Sequence, residues 1–308
     1  MAKKSLKKYT IMAPCKINLH LEIGEKGPDG YHSLKSIFAA LALADRLMIE
    51  VSGKEGDLSL SVNWDSSLDM PKEEIPLEKN LVFKALSLFR EYTGFNAGLK
   101  VQLFKCIPSG AGLGGGSSDA AAALLAMNNL AKSSIPKEKL REMALLLGSD
   151  VPFFLEGGAA YVSGQGETVE PILPFPLSLL KLPVVLVKPP FSNNTASAFR
   201  QLDEARAACR ENSYLFGEKA SRSELISAFY KDPAGWPFYN DFLKVYLESK
   251  NARDYSFMLE ALKSCGASHA GLSGSGSCCF GIFKSQDAAL RAERELAGNF
   301  VRCTFFLA

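Results

Sequence analysis

The chain has 308 residues and a mass of 33.4 kDa, room for one large domain or two modest ones. Hydrophobic residues make up 47% and charged residues 22%, which excludes a disordered or fibrous chain. The 35 Lys and Arg against 33 Asp and Glu leave a net charge of +2, and no apolar run approaches the ~20 residues that cross a bilayer, so neither nucleic acid nor membrane is expected as a partner.

Lys3, Lys4, Lys7 and Lys8 open the chain, but Lys16, Asn18, His20 and Glu22 interrupt the sequence at once, so a short solvated tail is expected rather than a signal peptide. A first strand is predicted near 15–23, where Ile17, Leu19, Leu21 and Ile23 alternate with polar residues. A turn follows at Gly27-Pro28-Asp29-Gly30. The longest apolar run, Ile37 to Ala44, stops at Asp45, and strand-like runs come at 46–51, 58–64 and 99–104. Asn80 opens a helix that ends near Gly94, a second helix runs from Ser117 to about Lys132, and a third from about Lys137 to Leu147, stopped by Gly148. Asp150 then precedes Val151-Pro152, where an extended chain is expected.

Prolines 171, 174, 176, 183 and 189, with Pro190 following, mark a crossing between two domains, 1–180 and 181–308, the second opening with a buried strand at Val184–Val187. Helical segments near 195–210, 222–230 and 255–265 precede Gly271–Phe283 and a final helix and strand. Strands grouped before helices suggest α+β in both halves. Seven scattered cysteines without a C-x-x-C, and only three histidines, argue against structural zinc and for reduced thiols in a cytoplasm.

The most informative segment is Pro108–Ala122, with five glycines within positions 110–116 ahead of Ser117-Ser118-Asp119 and an alanine-rich helix. Glycines let backbone N–H groups approach an anion, and a helix N-terminus adds unpaired donors, so the pattern reads as a phosphate cradle. The plain alternative is a flexible loop with Ser117 or Ser118 as helix N-cap. A dinucleotide-binding turn fails because Lys105–Gly116 is too long after the strand and no strand follows at 128–139. A Walker loop fails because no Lys follows the glycines.

Three segments in order resemble the motifs of the GHMP kinase superfamily (galactokinase, homoserine, mevalonate and phosphomevalonate kinases). They are Ala13-Pro14-Cys15-Lys16-Ile17-Asn18-Leu19, then Pro108–Ala122, then residues 271–280 with Gly271, Ser273, Gly274 and Gly276. The resemblance sharpens to the branch that phosphorylates a cytidine diphosphate-linked methylerythritol. Lys16–Leu19, Pro28–His32, 114–121, Gly148–Phe154 and Asn240-Asp241 carry it. Cys15 departs from the usual small residue, and Pro190–Thr195 is an atypical lead-in to the family's Thr…aromatic element.

The resemblance implies a two-domain α+β fold, an N-terminal ATP-binding domain at 1–180 and a C-terminal substrate domain at 181–308, with the site in the cleft between them. It implies transfer of the γ-phosphoryl of ATP, with Mg²⁺, to the acceptor's 2-hydroxyl in non-mevalonate isoprenoid synthesis. Asp150 is then the general base and Lys16 the electrostatic stabiliser, although a turn residue and a solvated strand face would explain the same two positions. Nucleotide binding falls to Asn80, Lys105, Pro108, Gly110, Gly112, Leu113, Gly114, Gly115, Gly116, Ser117 and Ser118, with Ser118 also a metal ligand. Asn80 reads equally as a helix cap, and Asp119 as either a helix-start carboxylate or a group near Mg²⁺. The acceptor falls to Asn18, Tyr31, His32, Asp150, Thr195 and Phe199: Tyr31 stacks on the base, His32 reads its edge, and Phe199 closes the other side. Ser273–Ser277 closes over the acceptor's phosphates or shapes the site, rather than taking part in the chemistry. A monomer or weak homodimer in the cytoplasm is expected. Another kinase of the superfamily, or a non-catalytic nucleotide sensor, remains the alternative; the sensor would be expected to lack Asp150 or Lys16.

Overall fold

The computed structural model describes residues 7–52, 54–65, 75–132, 135–208, 220–296 and, as backbone, 300–304. Lys3, Lys4, Cys209 and the last two residues of the helix expected to 210 lie outside these. Two long strands come first, β1 (Lys8–Lys26) and its partner β2 (His32–Ser52), joined at the expected turn, where Gly30 donates its N–H to Gly27 O (3.0 Å). The chain falls into two compact units. The first comprises 1–15, 43–109 and 114–156, and the second 16–42, 110–113 and 157–308.

In the first unit the latter half of β2 pairs antiparallel with β4 (Gly98–Lys105), from Arg46↔Phe104 to Ser52↔Gly98. β3 (Leu58–Trp64) runs parallel to β4, and the helix between them, α1 (Leu81–Thr93), makes this a crossover inside an otherwise antiparallel arrangement. Asn80 caps α1, its Oδ1 accepting from Val82 N (2.9 Å), and Gly94 ends it in the left-handed region. Val82, Ala85, Leu86 and Phe89 recur at helical spacing and are buried. α1 packs on α2 (Gly115–Ala131), followed by α3 (Lys137–Leu147) and α4 (Val151–Glu156). The alanines of α2 are buried all round, which small side chains permit without forcing the neighbouring helices apart.

In the second unit the first half of β2 pairs antiparallel with β5 (Ala159–Gly164), which pairs with β6 (Thr168–Pro171). A separate antiparallel sheet has the order β10 (Phe300–Thr304), β7 (Pro183–Val187), β9 (Cys279–Ile282), β8 (His269–Leu272). Around it lie α5 (Thr195–Ala208), α6 (Arg222–Phe229), α7 (Asp241–Tyr246), α8 (Ala252–Ser264) and α9 (Gln286–Leu296). One core joins Leu21 and Ile23 of β1 to Val185, Val187, Phe242, Tyr255 and Leu262.

Three local expectations change. The alternation along β1 does not give one wet face: Lys16, Asn18, His20 and Glu22 are all at most 5% exposed, so both faces are buried. α2 begins at Gly115, two residues before Ser117, because Gly114 takes the left-handed N-cap position (φ 70°). Pro152 does not force an extended chain, because it sits in the first turn of α4, where a missing N–H costs nothing.

Candidate active site

Gly114 brings no capping side chain, so among the described residues the first-turn N–H groups of α2 have no capping acceptor; Ser117 and Ser118 follow inside the helix rather than capping it. Ser118 Oγ is buried without a hydrogen-bond partner among the described residues. A Cβ on Gly116 would lie 3.6 Å from Leu81 Cδ1, so the start of α1, with Asn80 as its cap, is beside the start of α2. Aligned donors, a partial positive charge and an unused hydroxyl together suit a phosphate group. Pro108 is buried in the lead-in to this helix, and Asp150 precedes α4, which packs on α2.

Lys105, the last residue of β4, is buried beneath this helix start, and a Cβ on Gly115 would approach its Nζ to 3.4 Å. Its ammonium donates to Asp45 Oδ2 and to Asp119 Oδ2 (2.6 Å). Burial pulls the lysine's pKa down, but the two carboxylates outweigh it and the net shift is upward. Burial pushes the Asp119 carboxyl up to about 7, against the pull of Lys105. Asp119 therefore faces inward to a lysine rather than standing as a simple helix-start carboxylate. Among the described residues no group of three His, Cys, Asp or Glu could hold a metal.

The second unit brings all three glycine-rich or lysine-bearing motifs to one point. Lys16 Nζ donates to Asn18 Oδ1 (2.6 Å) and to Gly112 O (3.1 Å), and lies over the Phe38 ring. Ser273 Oγ donates to the same Gly112 O (2.9 Å), and Asn18 N donates to Ser273 Oγ (3.2 Å). Leu113 O accepts from Lys16 N (3.0 Å). The approach is so close that a Cβ on Gly112 (φ 75°) would stand 2.1 Å from Ser273 O, which only glycine allows. Asn18 Nδ2 donates to Ser36 Oγ, and Asn240 Nδ2 ties Leu272 O and Gly274 O. Gly110 is exposed beside Ser192.

Tyr31 is 65% exposed, as an aromatic face awaiting a planar partner would be. The His32 ring is already occupied: Nδ1 donates to Gly24 O (3.0 Å), its face stacks on Phe199 (5.1 Å, 19°), and Nε2 lies 3.2 Å from Asp203 Oδ1 at an angle outside hydrogen-bond geometry. Phe199 thus backs His32, with its other contact edge-on to Phe242. Thr195 Oγ1 shares a hydrogen bond with Ser275 Oγ (2.9 Å), joining α5 to the third motif. Sequence reasoning did not reach Ser36, Asp45 or Asp203. Asp45 alone left a trace, as the charge that ends the apolar run.

Two family descriptions match: GHMP kinases N terminal domain over residues 80–158 and GHMP kinases C terminal over 253–302. A homoserine kinase from Cytophaga hutchinsonii shares the fold at 18% identity, covering 99% of this chain and 97% of its own, with a TM-score of 0.65. More specific relatives are similar over nearly the full length. The 4-diphosphocytidyl-2-C-methyl-D-erythritol kinase of Pelotomaculum thermopropionicum is 36% identical, covering 95% of this chain and 94% of its own. That of Treponema pallidum is 34% identical over 97% and 98%. A crystal structure of 4-(cytidine 5'-diphospho)-2C-methyl-D-erythritol kinase superposes with a TM-score of 0.75 at 30% identity, covering 97% of this chain and all of that one. The chain belongs to the 4-diphosphocytidyl-2-C-methyl-D-erythritol kinase family of the GHMP kinases and is a small-molecule kinase. No helix among the described residues is long and apolar enough to cross a membrane.

Proposed function

We propose that this kinase transfers the γ-phosphoryl group of ATP to the 2-hydroxyl of 4-diphosphocytidyl-2-C-methyl-D-erythritol, in the non-mevalonate route to isoprenoid precursors. The acceptor oxygen bonds to phosphorus as the bridging P–O bond to ADP breaks, and the hydroxyl proton passes to the Asp150 carboxylate. Lys16 offsets the charge on the transferring group, and Asn18 orients its ammonium. The observation that carries this reading is the buried Lys16–Asn18–Gly112–Ser273 knot, which places a fixed cation on the phosphate loop. Asn80, Lys105, Pro108, Gly110 and Gly112–Ser118 hold the nucleotide, and Asn18, Tyr31, His32, Asp150, Thr195 and Phe199 hold the cytidylyl acceptor.

Mg²⁺ fits one observation, the unpartnered buried Ser118 hydroxyl, which would hold it together with the nucleotide's own phosphates. When bound, the ion neutralises charge on the phosphates. We place the domain boundary at 180/181, between the two matched family segments, and the protein in the cytoplasm as a monomer or weak homodimer.

The test is ATP consumption with the cytidylyl acceptor, beside mevalonate, homoserine and galactose, for the wild-type chain and Asp150→Asn. Turnover with the cytidylyl acceptor alone, reduced at least 10²-fold in the variant, is expected for a lost general base. Turnover with a different acceptor would overturn the roles of Tyr31 and His32. Folded protein that binds ATP without turning over any acceptor would make it a sensor.

A further inference from the structure

Asp45 has no role in the reading above, yet it is completely buried and uses both carboxylate oxygens. Arg46 pairs with Phe104, so Asp45 stands opposite Lys105 where the β2–β4 ladder ends. The chain then leaves the sheet toward the phosphate loop, and the N–H groups of Cys106 and Ile107 lose their ladder acceptors. Asp45 Oδ1 takes both, Cys106 N at 2.5 Å and Ile107 N at 2.8 Å. Its Oδ2 takes Lys105 Nζ, whose ammonium also reaches Asp119 Oδ2 in the second turn of α2. One side chain therefore fixes where β4 releases the chain and, through Lys105, where α2 begins.

We infer that Asp45 is a positioning residue for nucleotide binding: it anchors both ends of the phosphate loop and holds the Lys105 ammonium under the first turn of α2. This rests on the reading that the start of α2 receives the nucleotide phosphates. The physical case is that Lys105 lies within contact reach of Gly115, so any shift of the ammonium changes both the shape and the potential at the uncapped N–H groups. A serine or asparagine could cap two backbone N–H groups equally well. Only a carboxylate does this while also holding a buried ammonium.

That distinction supplies the test. Asp45→Asn keeps an acceptor for Cys106 and Ile107 but turns an amide toward the ammonium; Asp45→Glu keeps the charge at a longer reach. KM for ATP, KM for the acceptor, kcat and thermal midpoint are measured for each, with direct ATP binding to the wild type. Asp45→Asn is expected to raise KM for ATP about tenfold, with acceptor KM within twofold and kcat changed less than KM for ATP, and Asp45→Glu to recover part of the loss. Should Asp45→Asn not fold, the Asp45→Glu variant is read alone, with a rise in KM for ATP of at least threefold expected. A lower thermal midpoint with KM for ATP unchanged would mean a structural role only and overturns the inference. A wild-type chain that binds no ATP overturns the nucleotide reading and the inference together, whereas wild-type binding with unaffected variants overturns the inference alone.

Discussion

The Lys16 ammonium donates to Asn18 Oδ1 and Gly112 O while lying 4.7 Å from the centre of the Phe38 ring, so its position is set by three groups from separate parts of the sequence. A buried cation held this way loses little freedom when a phosphoryl group arrives, which is what makes a fixed charge effective in catalysis. Gly112 O keeps the Ser273 hydroxyl as donor if the lysine is removed, so Lys16→Met leaves that carbonyl satisfied. The variant is expected to fold and to lose about 10²–10³ in kcat, the usual cost of one preorganised donor. Steady-state kinetics beside a circular-dichroism melt check this; a kcat within threefold of wild type would remove Lys16 from the chemistry.

At the scale of the element, the phosphate loop and α2 depend on glycines in two different ways. Gly112 is constrained by a neighbour, since any Cβ would strike Ser273 O at 2.1 Å, and by a positive φ; Gly116 has ordinary helical backbone and open space to 3.6 Å. Gly112→Ala is therefore expected to lower the thermal midpoint by several degrees, through steric displacement and αL strain of about 1 kcal/mol or more. Gly116→Ala is expected to hold or raise the midpoint, because alanine favours a helix by up to about 1 kcal/mol. Equal melting of the two variants would contradict the close Gly112–Ser273 approach. The same elements show what sequence conveys. α1 and α3 were legible to within a residue because Asn80, Gly94 and Gly148 are local punctuation. The first half of β2 was not, because Ile37–Leu41 is buried on both faces and carries no alternation. Ser117 looked like a cap, yet a left-handed Gly114 is an equally good local solution and leaves the donors open. The Asp45–Lys105–Asp119 cluster was invisible for a different reason: its members are 60 and 14 residues apart, and nothing in spacing announces a pairing made by sheet register.

Across the whole molecule, the polar strip along β1 carries a consequence for stability. His20 is wholly buried, its Nδ1 accepting Tyr239 N–H at 3.4 Å and its Nε2 without a partner among the described residues. Burial, reinforced by Lys35 and Lys244, brings its pKa down to about 4. His269, set among Trp236, Phe238 and Phe280, is lowered to about 4 by burial and then by Lys263. Between pH 6.5 and 4 the unfolded chain binds protons at these two rings that the folded chain does not. Stability therefore rises with pH across that window and is lost as pH falls through it. A shift from 6.5 to about 4 corresponds to about 3 kcal/mol per ring at full development, a large share of an ordinary folding free energy. Asp119, whose carboxyl burial pushes up to about 7, works in the opposite sense over the same window and offsets about one ring, so the thermal midpoint is expected to be flat above pH 7 and to fall moderately below 6. His20→Gln, which keeps an acceptor for Tyr239 N–H but cannot be protonated, is expected to start from a lower midpoint and to lose less of it between pH 7 and 5. Parallel curves for the variant and wild type would mean that His20 is charged inside the fold, and that its orphan nitrogen is satisfied by a group that tolerates an imidazolium.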